Sequence, residues 1–102
     1  MIAEVWHATE RLFHEDATGH VQVAIVELPD DMDNMNAIEE AYHLTNHIHI
    51  PWWDNAEVTR TTQKDCRSTS TGDIVRIGTK SWRVLGIGWE EIIEQKENEN
   101  AS

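Results

Sequence analysis

The chain has 102 residues, a formal net charge of −11 and a single cysteine. That length fits one domain and buries roughly 65% of the unfolded chain's surface. Cys66 has no second cysteine with which to form an internal disulfide, and a cysteine-based zinc site is excluded. The charge is uneven. Residues 1–50 hold ten acidic groups against Arg11 alone, a balance of −9. Residues 58–83 hold six basic groups against Asp65 and Asp73, a balance of +4. Such acidity repels nucleic acid and anionic membranes at long range and favours basic protein partners. No direct nucleic-acid binding is therefore expected. The longest apolar run, Val23 to Val26, is too short to cross a bilayer, and the first ten residues lack the pattern of a signal peptide. A cytoplasmic protein is expected.

Ile2 to Ala8 alternates imperfectly and predicts a strand. Arg11 to Gly19 is polar and ends in a turn signal. His20 to Leu28 predicts a second strand, with Val21, Val23, Ile25 and Leu28 on one face and Ala24 and Val26 partly covered on the other. Pro29 ends it. In the acidic stretch that follows, Asn36 lies three residues before Glu39 and predicts a helix cap, with the helix running from about Ala37 to His47. Ile38, Ala41, Tyr42, Thr45 and Ile48 form its buried stripe, leaving Glu39, Glu40, His43 and Asn46 to water. Pro51 forces the chain out of helical geometry.

Residues 54–72 read as a long polar loop. Asp73 to Ile77 and Lys80 to Leu85 read as strands joined at Gly78-Thr79, and Trp89 to Ile93 as a possible last strand. The polar tail 95–102 lies beyond a single domain of residues 1–94. The pattern predicts an α+β fold: one helix packed on a small, mostly antiparallel sheet in the order β-β-α-β-β.

Three groups of residues invite functional readings. His43, His47 and His49 are the metal candidates, the first two one helical turn apart, but the intervening glutamate of zinc hydrolases is missing. No cofactor is expected, and a small metal-dependent enzyme using this cluster ranks last. Trp52 and Trp53 follow Pro51 in what reads as an extended segment, where neighbouring side chains point to opposite sides. Either one indole enters the core while the other meets a partner, or both cap the core against the helix and the sheet. Trp52, Trp53, Asp54 and Glu57, with Asp30, Asp31 and Asp33, form the expected contact set. Finally, Arg67, Ser68, Ser70 and Gly72 resemble an anion cradle, although the phosphate-loop spacing and its lysine are missing. The more ordinary reading of RSTSTGD is an entry into a strand, with Arg67 and Asp73 paired or bonded to the turn.

The segment from Glu40 to Ile92 resembles small accessory proteins of actinobacterial phages and other mobile elements. The resemblance rests on Ala41, Tyr42, Leu44 to Asn46 and Ile48, then Pro51 to Trp53, Asn55 and Val58. It continues through Arg67 to Ser70, Gly72, Asp73 and Gly88 to Ile92, and this last part looks like the YodL-like domain. It covers about half the chain. It implies a mobile-element origin and a bacterial host cytoplasm, and no reaction. Composition and resemblance together give the expectation of a non-enzymatic acidic interaction protein that binds a host protein and inhibits or redirects it. A sharper alternative is a DNA mimic directed at a nucleic-acid-binding or defence enzyme.

Overall fold

The computed structural model describes residues 1–9, 19–46, 51–62 and 67–93. They form an α+β unit with six strands and one helix. The elements are β1 (Ile2–Ala8), β2 (His20–Glu27), α1 (Asn34–Leu44), β3 (Val58–Arg60), β4 (Ile74–Ile77), β5 (Lys80–Val84) and β6 (Trp89–Ile92). All strand pairs are antiparallel, in the order β3-β2-β1-β4-β5-β6. The sheet is larger than expected. β3 lies inside the segment read as a loop: three residues with one buried side chain, Val58, carry no periodic signal. The segments 10–18 and 94–102, which include the expected polar turn and tail, lie outside the described residues.

The central strand β1 sets the two faces. Ala3, Val5 and His7 are buried on the side of α1, and Val75 pairs across from Val5. Val75 and Ile77 therefore share the helix face and Ile74 takes the other. In β2 the expected assignment holds only in part: Val23 and Leu28 are buried as expected, Val21 is not. Ala24 and Val26 are fully buried, whereas Val21 is 45% exposed. A bulge explains this: Val5 pairs with Ala24 but Trp6 with Gln22, so Val23 is an extra residue that turns inward beside its neighbours. Ala37, Ile38 and Ala41 of α1 close the core with Leu28, Trp52, Val58 and Trp82.

The helix starts three residues earlier than expected. Asp33, not Asn36, is the cap, and its carboxylate accepts from the Asn36 backbone N–H (2.8 Å) and side-chain Nδ2 (3.1 Å). The helix ends at Leu44, before the expected His47. Its last carbonyls are taken by side chains: the Thr45 hydroxyl donates to Ala41 C=O (2.8 Å) and Asn55 Nδ2 to Leu44 C=O (2.8 Å). The β4–β5 turn is the two-residue type expected. Gly78 has φ +62° while Thr79 stays at negative φ, the pattern of a II′ hairpin. Among the described residues no helix is long and apolar enough to cross a membrane.

Candidate functional site

Pro51 is extended, but Trp52–Asp54 form a single 3-10 turn rather than a strand. The two indoles therefore do not point apart. They meet edge to face, with ring centroids 5.1 Å apart. Trp52 is fully buried, and its Nε1–H donates to the Arg67 carbonyl at 2.9 Å. It pins the turn to the segment before β4 and cannot contact a partner. Trp53 is half-buried, with the Arg60 guanidinium 4.4 Å from its ring centroid. Asp54 and Glu57 beside it are exposed. Glu27 N–H donates to Glu57 C=O, so this turn lies at the same end of the sheet as the acidic β2–α1 loop.

The expected cradle binds an anion, but the anion is the protein's own Asp73. This carboxylate is fully buried. Oδ1 accepts from Ala8 N–H (2.7 Å) and Arg67 Nη2 (2.8 Å); Oδ2 accepts from Ser70 N–H (2.7 Å) and Arg67 Nη1 (2.6 Å). Arg67 also donates to the carbonyls of Ala8 and Ser68. The Gly72 carbonyl accepts from His20 Nε2 (2.7 Å), and Gly72 itself has φ +95°, a conformation that side chains rarely adopt. The cradle expected for a ligand at Arg67, Ser68, Ser70 and Gly72 is therefore already filled. The arrangement fastens the strand entry to the end of β1.

A chain of buried hydroxyls extends from it. Thr45 donates to the Ala41 carbonyl, and Thr69 donates to Thr45 Oγ1 at 2.7 Å. Thr69 Oγ1 is thereby left to accept from His7 Nε2 at 2.9 Å, which fixes the proton on that ring nitrogen. Burial pushes the His7 pKa from 6.5 down to about 4. Asp73 opposes the shift, while Arg67 and His20 add to it. The imidazole is neutral in the fold at pH 7.

Because the folded pKa lies below the unfolded value, the unfolded chain binds more protons between them. The contribution from His7 is complete above pH 6.5 and is lost as pH falls towards 4, by about 3 kcal/mol in all. Urea unfolding at pH 7.0, 6.0 and 5.0 should show this loss before most carboxylates titrate. In His7→Gln the dependence over that range should largely vanish. An unchanged slope in the variant would assign the proton to another group.

Of the histidines expected to hold a metal, His43 is exposed on α1, whereas His47 and His49 lie outside the described residues. Among the described residues no three His, Cys, Asp or Glu side chains gather as a metal site.

The acidic loop divides by what each carboxylate already holds. Asp30 accepts from the Met1 ammonium, which holds its carboxyl below the usual carboxylate range. Asp33 is occupied as the helix cap. Asp31 instead lines an open groove of about 520 Å³ along α1, with Pro29, Met32, Glu39, Glu40 and His43. Among the described residues no lysine or arginine lines it. By helical spacing Glu39 and Glu40 belong to a solvated face. Their spacing shows that they face away from the core; that the β2–α1 loop folds beside them follows only from the chain path. Comparison with protein families, curated proteins and solved structures gives no match.

Proposed function

We propose that this protein is a non-enzymatic acidic binding module that docks on a basic surface of another protein. The observation that carries the reading is the groove beside α1, which Asp31, Glu39 and Glu40 line and which no lysine or arginine among the described residues lines. Three acidic residues lining one open groove attract an incoming lysine or arginine and steer its approach. Met32 and Pro29 offer apolar surface for the methylene stem of such a side chain. Trp53, half-buried and flanked by exposed Asp54 and Glu57, is the proposed second contact. Trp52 plays no part in it.

The proposed setting is a mobile element acting in a bacterial host, on the strength of the resemblance over residues 40–92. Blocking a host protein is the proposed outcome of docking. The DNA-mimic form of the idea asks for two rows of carboxylates, whereas the groove gathers one cluster, so docking on a basic protein surface is the preferred reading.

The test is capture of a saturable partner from host extract by the full chain. The combined variant Asp31→Lys, Glu39→Lys, Glu40→Lys should keep its melting temperature and bind at least about tenfold more weakly. Raising salt from about 50 to 500 mM should slow association with the original chain far more than dissociation. Trp53→Ala should weaken the same partner without unfolding the domain. Equal capture by the charge-reversed chain would refute the groove as the contact, and competition by duplex DNA would revive the mimic reading.

A further inference from the structure

The six-stranded sheet has two edges, and they are finished differently. At β3 the strand is only three residues long. Glu27 N–H donates to Glu57 C=O and Thr61 N–H to Val23 C=O, so alternation turns the backbone groups of Val58 outward. The Val58 N–H is already donated to Asn55 C=O at 3.1 Å. This edge is short and partly capped, as is common where a protein resists strand addition.

At β6 no described residue pairs with the outer side of the strand. Val84 exchanges its backbone bonds with Gly72 and Asp73 on the β4 side, while Leu85 N–H donates to Gly88 C=O. Alternation then places the bonding pairs of β5 and β6 at Arg83–Glu90 and Ser81–Ile92. The N–H and C=O groups of Trp89 and Glu91 therefore point away from the sheet, and they have no partner among the described residues. Trp89 is braced from behind by Tyr42 of α1, edge to face at 5.2 Å, so the strand is held in place for pairing.

We infer that β6 receives an extended basic segment of a partner protein as a seventh strand. The charge of the strand selects the occupant. Glu90 stands on the uncovered face of the sheet and Glu91 on the opposite one, both exposed. A strand laid beside them places one side chain next to each acid, so two adjacent basic residues are matched on both faces. Next to Trp89 and Ile92 the same strand would place apolar residues. A second copy of this chain is the wrong occupant, because pairing β6 with itself sets carboxylates against carboxylates. Backbone bonds would supply affinity and the alternating side chains specificity. This edge shares no residue with the α1 groove, so it stands or falls independently of the docking reading above.

The probe is a capped synthetic peptide, Thr-Val-Lys-Lys-Val-Thr, added to the isotopically labelled full chain up to about 1 mM. Amide shifts should move saturably around Trp89 to Ile92, and hydrogen exchange at Trp89 and Glu91 should slow at least about tenfold. The same peptide with glutamates in place of lysines should do neither. Glu91→Pro removes an outward N–H without touching a bond to β5, so it should leave the fold intact and abolish binding. If that variant does not fold, the double variant Glu90→Lys, Glu91→Lys serves instead and should prefer the glutamate peptide. Shifts confined to residues 31–43, no shifts at all, or undiminished binding by Glu91→Pro would overturn the inference. Concentration-dependent pairing of β6 without peptide would overturn it in favour of self-association.

Discussion

Asp73→Ala is expected to cost about 3–5 kcal/mol, a large share of what a domain of this size has. Four hydrogen bonds end on this one fully buried carboxylate. Alanine removes the acceptor but leaves the donors: the N–H groups of Ala8 and Ser70 and one edge of the Arg67 guanidinium. Stranding a buried donor costs more than the bond itself is worth. The loss also undoes the link between the end of β1 and the entry to β4, residues 65 apart in sequence. Asp73→Asn tests the charge separately. It keeps the volume but loses the charge, and it turns one acceptor into a donor that faces other donors. About 2 kcal/mol or more should go with it. Urea unfolding at pH 7 with an unchanged m-value measures both. A loss below about 1 kcal/mol for Asp73→Ala would mean that Arg67 and the two N–H groups find water or new partners at once.

Trp52→Ala should be comparably severe, at about 3–5 kcal/mol for emptying a large aromatic site in the core. The indole touches three things whose loss is felt together. It lies against Trp53, stands edge-on to His7 with centroids 6.3 Å apart, and donates to the Arg67 carbonyl. Trp52→Phe separates packing from bonding, since it keeps an aromatic ring and deletes the N–H; roughly 1–2 kcal/mol should disappear. Trp53→Ala is the contrasting case. Its ring is half-buried beneath Arg60, and about 1 kcal/mol is expected. A calorimetric Tm lowered by ~15 °C in Trp52→Ala, against a few degrees in Trp53→Ala, would establish the asymmetry. Equal losses would show that the pair acts as one plug and would remove Trp53 from the proposed contact surface.

The two cases show why the site was only partly legible. Pro51 followed by two tryptophans leaves two readings open: one indole buried and one outside, or both capping the core. The extended chain that would part the rings does not form. The 3-10 turn stacks the rings edge to face, and the Arg67 carbonyl decides which of them enters. Likewise, RSTSTGD has the makings of an anion nest, and Asp73 at its end can pair with Arg67. The competing reading of an external ligand is answered by burial: a carboxylate with every lone pair engaged occupies the nest itself.

Sequence alone determined the elements whose information is local. Alternation marked β1, β2 and β5, a glycine at the first central position marked the β4–β5 hairpin, and the 3.6-residue period marked the inner face of α1 around Ile38 and Ala41, whereas Ile74 of β4, expected inward, lies on the outer face. The tertiary structure decided the rest. It placed β4 beside β1, gave Val58 a strand with no pattern of its own, and used a bulge to turn Val23 inward. It also left Asp31 beside Glu39 and Glu40 while Asp30 and Asp33 were taken up elsewhere. Periodicity records which side of an element is apolar. Which polar groups meet depends on closing the chain over tens of residues, and no window along the sequence contains that closure.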